Sequence, residues 1–209
     1  MTDADAVARR FTRSDGTFLF ARWGRPIVPV VFGVEDATIP VVKGAVEAVV
    51  ALAGHRMAET DPEFGANQMW FFVRGWDDLR HIPALDRLIP DLGPLLDRLA
   101  AAGANQYRVF RFDGAGAIQA CLVLLRMDEH LASVAAEDLA LSEAAQAMLL
   151  WSDTAFRDDA PLVRADGGPA LLAPEPAAII RAAYDLVLPA ASDDPALAHR
   201  IAARIGVSA

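Results

Sequence analysis

The residues best placed to do chemistry lie within Leu141-Ser-Glu-Ala-Ala-Gln-Ala-Met-Leu-Leu-Trp-Ser-Asp153. The stretch reads as an amphipathic helix. Ser142, Glu143 and Gln146 are its polar members, and Ser152 and Asp153 follow at its end. Side chains three or four positions apart meet on one helix face. Glu143 can serve as a general base, or rest either in solvent or hydrogen-bonded to Gln146 or Ser142. The second is the usual fate of a helix carboxylate, because buried charges need partners.

Other chemistries find less to work with. The single cysteine, Cys121, sits in the apolar run Ala-Ile-Gln-Ala-Cys-Leu-Val-Leu-Leu; it forms no intrachain disulfide and is expected in the core. His55, His81, His130 and His199 show no metal-ligand spacing, and His130 is expected in an exposed loop or cap. No phosphate-binding glycine loop precedes a helix, since Gly114-Ala-Gly116 falls in a predicted hairpin turn. Asp153, Asp158, Asp159 and Asp166 lack the alternating spacing and closing glutamate of a calcium loop and read as solvated acids. Glu59, Asp61 and Glu63 could form an acid–base set with Arg22, Arg25 or Arg74, but nothing in the spacing brings them together. Trp70, Phe71, Phe72 and Trp76 read as core, with Trp76 the most exposed. A structural subunit that buries Trp70–Trp76 against a partner is a third functional reading.

The chain has 209 residues, 54% apolar and 22% charged, enough to bury a sizeable core. Its formal charge of −9 argues against nucleic acid and anionic membrane, which call for a basic face. The polar start MTDADAVARRFTRSDG has no signal-peptide core. The longest apolar stretch, Ile39 to Gly54, is interrupted by Lys43 and Glu47, so no membrane insertion is expected. The chain as written reads as soluble and cytoplasmic, or periplasmic if a leader is missing.

The elements that must position Glu143 can be read from periodicity. Strands are predicted at Phe18 to Trp23, at Ile27 to Phe32 with Pro29 suiting an edge or bulge, and at Asn67 to Val73. Thr38 and Pro40 open a helix that Gly54 stops. Trp76 to Gly103 is helical, with Leu92, Leu95, Leu96 and Leu99 as its apolar stripe. Tyr107 to Phe112 and Ala117 to Arg126 form a hairpin, and the second arm is apolar enough to lie centrally. A helix over Ser133 to Trp151, a loop over Ser152 to Pro174 and helices at Glu175 to Leu188 and Pro195 to Ile205 complete the chain. The expectation is one α+β domain over 1–209, a mixed sheet with packing helices, and a flexible N-terminal segment over 1–16.

Set against the zinc-protease pattern H-E-x-x-H-x-x-G-x-x-H, the stretch places Ser142, Glu143, Gln146, Leu149 and Ser152 at the five specified positions, with Asp153 next. Gln146-Ala-Met-Leu-Leu-Trp-Ser-Asp153 is similar to the H-A-L-G-L-x-H-S run of matrixin-type metalloproteases. Leu172-Ala-Pro-Glu-Pro-Ala-Ala-Ile-Ile-Arg-Ala-Ala-Tyr-Asp185 resembles the helix that closes those domains, with Leu172, Ile179, Ile180 and Tyr184 at its packing positions. The chain also resembles a proteobacterial family of unknown function, largely lipoproteins and exported proteins, that keeps glutamate and glutamine in place of the ligands. The resemblance implies a zincin-like fold without its zinc ligands. Only Glu143 is identical; Leu149 replaces the turn glycine, and Pro161-Leu-Val163 lacks the methionine of the methionine turn. Serine and glutamine are poor zinc ligands, so no metal or cofactor is expected. The expected function is a non-catalytic peptide- or protein-binding module, with a vestigial cleft lined by Ser142, Glu143, Gln146, Ser152 and Asp153. The alternative is a peptidase-like hydrolase that uses Glu143 as base, with a metal held by Asp153, His130 or other ligands.

Overall fold

The computed structural model describes residues 3–164 and 168–207. The chain opens with helix α1 (Ala4–Phe11), capped by the Asp3 carboxylate on the Ala6 amide at 2.7 Å. Its Val7 and Phe11 are fully buried, and α1 packs on the last helix. This differs from the flexible segment expected over 1–16. Two apolar residues one turn apart gave α1 a face to bury, which its charged composition concealed.

Two short strands follow, β1 (Phe20–Ala21) and β2 (Pro29–Phe32), then helix α2 (Ile39–Leu52) and strand β3 (Gln68–Val73). A 3-10 turn (Trp76–His81), α3 (Leu85–Leu88) and α4 (Leu92–Ala101) lead into the hairpin β4 (Gln106–Phe112) and β5 (Ile118–Arg126). The remaining elements are α5 (Glu129–Ala132), α6 (Ala136–Ala147), β6 (Leu162–Arg164), β7 (Ala170–Leu172), α7 (Pro174–Ala183), β8 (Ala191–Ser192) and α8 (Ala196–Val207). The helix expected over Ser133 to Trp151 is thus shorter at both ends. The loop expected over Ser152 to Pro174 contains the antiparallel pair β6–β7.

The main sheet has the order β2-β3-β5-β4. β2, β3 and β5 run parallel, and β4 is antiparallel to β5 at the far edge. The architecture is α+β with a mixed sheet. Pro29 lies on the opposite edge strand, where its missing amide costs no ladder bond. Period-two alternation assigns the faces. Val31, Trp70, Phe72, Cys121, Val123 and Leu125 join a core with α2, α6, α7 and α8. Phe71, Leu122 and Leu124 join a second core under α3, α4 and the 3-10 turn. From Ala120 to Leu125 β5 is apolar and buried because both of its faces are covered, as expected for a central strand.

β4 obeys the same rule. Phe110 contributes to the first core, while Tyr107 and Val109 pack on the second. The Arg111 guanidinium donates to the Leu88 carbonyl at 3.1 Å, on the side of the second core. Arg108, in phase with Phe110, therefore faces α6. At the end of β2 the backbone comes so close that a Cβ on Gly33 would sit 2.0 Å from the Phe72 carbonyl oxygen, at φ +83°. Only glycine fits there.

Candidate functional site

Helix α6 lies against α2, with Leu139, Ala140, Ala144, Ala145 and Ala147 buried. Small alanines let it come close to its neighbours. The helix ends after Ala147 with no glycine, and Met148 keeps right-handed backbone angles. The final carbonyls of a helix need donors, and here distant side chains supply them. Trp23 Nε1 donates to the Ala147 carbonyl at 2.9 Å, Tyr184 Oη to Met148 at 2.8 Å and Trp151 Nε1 to Ala145 at 3.1 Å. The Leu150 amide donates to the Ala21 carbonyl at 2.9 Å. These tethers do the work expected of a turn glycine. Tyr184→Phe leaves the Met148 carbonyl without its buried donor and is expected to cost about 1–3 kcal/mol in urea unfolding. An unchanged midpoint would show that water replaces the hydroxyl.

Glu143 is 0% exposed and bonded to Arg108, contrary to a helix-face carboxylate in solvent or hydrogen-bonded to Gln146 or Ser142. Its Oε1 accepts from Arg108 at 2.6 Å, and the Arg108 side chain is 17% exposed. Gln146 turns away and donates to Ser142 Oγ at 3.2 Å. The reason is geometric: Glu143 is on the face of α6 that meets the sheet, and β4 projects Arg108 from the same side. Glu143 Oε2 and Arg108 Nε are buried and have no hydrogen-bond partner among the described residues. Burial pushes the Glu143 carboxyl up, and the Arg108 guanidinium only partly offsets it.

That direction has a consequence for stability. Because the folded state binds the Glu143 proton more tightly than the unfolded chain, this group's contribution is complete below the ordinary glutamate value of 4.5 and is lost as pH rises through the folded value. Wild type should therefore lose stability relative to Glu143→Gln as pH is raised above that ordinary value. Paired urea unfolding curves across the range measure the difference. A difference that moves the other way would mean that Arg108 outweighs burial.

Beside this pair lies a cleft of about 510 Å³ between β4 and the chain leaving α6, lined among others by Gln106, Arg108, Gln146, Trp151, Ser152 and Asp153. Three of the five expected residues, Gln146, Ser152 and Asp153, reach it. Ser142 and Glu143 are not among its lining residues, and Glu143 is sealed behind Arg108. Ser152 is buried, its amide donating to the Arg10 carbonyl at 2.8 Å. Asp153 accepts from the Ser14 amide at 2.9 Å and from Ser14 Oγ at 2.5 Å. Those hydrogen bonds hold its carboxyl below the usual range. Asp153 thus fastens the N-terminal segment to the cleft wall.

The alternative metal set does not converge. Among the described residues no three of His, Cys, Asp and Glu come close enough to hold an ion. His130 is exposed on α5, and the Asp153 oxygens are taken by Ser14. Of the loop acids, Asp159 faces Arg10 at 3.6 Å, and Asp166 lies outside the described residues. Cys121 is fully buried, and burial pushes its thiol far above the ordinary value, which makes it a poor nucleophile.

Two expectations about side chains need correction. Trp76 is 5% exposed, its indole donating to the Ala104 carbonyl at 3.1 Å. With Trp70, Phe71 and Phe72 also buried, the aromatic cluster is spent on the protein's own cores and not on a partner. The acid–base residues without an apparent meeting point do meet in part: Arg25 contacts Asp61 at 3.4 Å and Glu63 at 3.1 Å. Buried Asn67 links Asp61 to the chain at Val28, donating to Asp61 at 3.0 Å and accepting from the Val28 amide at 2.8 Å. This network ties the loop before β3 to the strand β2. The sequence separation of 36 residues between Arg25 and Asp61 hid it.

In comparisons with known proteins the chain matches no family model, no curated protein and no solved structure. No helix among the described residues is long and apolar enough to cross a membrane.

Proposed function

We propose that this protein is a non-catalytic, zincin-like domain that binds an extended peptide or protein segment along the free edge of β4. The observation that carries the reading is the cleft between that edge and the end of α6. An edge strand offers unpaired backbone groups, so a peptide can add a strand and gain affinity from main-chain hydrogen bonds. Trp151 and Phe156, with ring centroids 5.1 Å apart, give the groove an apolar wall. The zincin likeness rests on the order strand, helix, strand, hairpin, helix through β2, α2, β3, β4–β5 and α6, together with Ser142, Gln146 and Ser152 at the ligand positions.

The hydrolase alternative has less behind it. A general base must reach a water or a substrate proton, and Glu143 is fully buried against Arg108. Incubating the protein with a mixed peptide library, followed by mass spectrometry of retained and cleaved species, distinguishes the two. Retention without cleavage is expected. Hydrolysis abolished by chelator and by Glu143→Gln would establish the alternative.

A further inference from the structure

We propose that the cleft selects an acidic side chain on the bound segment, held between Arg13 and Arg157. The inference rests on the peptide-binding reading above and names the chemistry of what is bound. Acidic residues outnumber basic ones in the chain, 28 to 19, yet the cleft is lined by three arginines and one carboxylate. Arg108 is already engaged by Glu143 behind it at 2.6 Å, and Asp153 is engaged by Ser14. Arg13 and Arg157 are exposed, and their side chains make no ion pair or hydrogen bond among the described residues. Each acts on an aspartate only at longer range, Arg13 on Asp15 and Arg157 on Asp153.

The local structure explains why these two arginines share one opening. The bonds from Asp153 to Ser14 bring the end of the N-terminal segment to the loop after α6, which places residue 13 at the mouth. The turn Thr154–Arg157, closed by the Arg157 amide on the Thr154 carbonyl at 3.2 Å, supplies the other side. Trp151 is fixed by stacking on Phe11 at 5.4 Å and 7°, and offers a rigid apolar surface to the methylenes of a glutamate. A strand added to β4 sends alternate side chains to opposite faces, so one set of them meets this pocket. Guanidinium–carboxylate hydrogen bonds are stronger than neutral ones and reward an acid there over its amide.

The test uses three short peptides of alternating valine and threonine, capped at both ends, that differ only in a central glutamate, glutamine or lysine. Binding to the full chain is measured by calorimetry at low salt. The glutamate peptide is expected to bind roughly fivefold to tenfold more tightly than the glutamine peptide, with lysine weakest. In the double variant Arg13→Gln/Arg157→Gln that ratio should fall to about one, and raising the salt toward about 1 M should reduce it in wild type. Equal binding of glutamate and glutamine peptides overturns the inference and leaves strand addition standing. A preference for glutamate that survives the double variant also overturns it. If none of the three binds, the peptide-binding reading fails and the inference with it.

Discussion

Replacing Arg108 with alanine is expected to destabilise the protein by about 3–5 kcal/mol, because it strands the Glu143 carboxylate in a buried site. The pair is made at 2.6 Å with Glu143 wholly out of solvent. Its desolvation is unfavourable, and each partner is tolerable only in the presence of the other. The companion expectation is that Arg108→Met/Glu143→Leu recovers most or all of the loss, since apolar replacement of a whole buried pair is often neutral or stabilising. Urea unfolding of wild type, Arg108→Met, Glu143→Leu and the double variant closes the cycle. A double variant as unstable as Arg108→Ala would show that Arg108 acts through its packing on β4 and not through charge. The same result would remove the argument that Glu143 is held as a structural carboxylate.

The second large effect is at Trp23. Its ring is fully buried, and its indole nitrogen donates to the Ala147 carbonyl, the last of α6. Its own amide lies 3.4 Å from Tyr184 Oη, so it links the strand region before β2 to both α6 and α7. Trp23→Ala is expected to cost about 3–5 kcal/mol, the usual penalty for truncating a large buried aromatic. Local consequences should accompany the global one. With Ala147 lacking its donor, the turn through Leu149 and Leu150 loosens, and the amides of Leu150 and Trp151 should exchange faster than the rest of the core. A uniform rise in exchange would mean that Trp23 is a general core residue and does not specifically hold the end of α6.

Much of the frame that carries the site was legible in sequence. The mixed polar and apolar residues of Tyr107 to Phe112 and the continuous apolar run after them predicted a hairpin whose second arm is central, and β4 and β5 form that hairpin with β5 inside the sheet. Leu92, Leu95, Leu96 and Leu99 are all buried as the helical stripe required. Pro29 pointed to an edge and is on one. The site itself was only half legible. The two-residue period of a strand already puts Arg108 in phase with Phe110, but nothing local said that this face meets α6, because the partners are 35 residues apart. A carboxylate on a helix looks solvated until a cation from elsewhere is brought to it. The same limit hid Arg25 with Asp61, where tertiary contact decides the outcome. At the N-terminus local composition misled: the charges of Ala4–Phe11 drew attention from Val7 and Phe11, whose burial beneath α8 depends on the far end of the chain.

The central claim is that the protein holds a peptide along β4 without cutting it. Its most direct test is a titration of isotopically labelled protein with an extended peptide pool, read by backbone amide resonances while the peptides are followed by mass. The account predicts shifts concentrated at Gln106, Arg108, Phe110 and the Trp151 indole, with every peptide recovered intact. Shifts elsewhere with β4 silent, or loss of peptide mass that Glu143→Gln prevents, would contradict it.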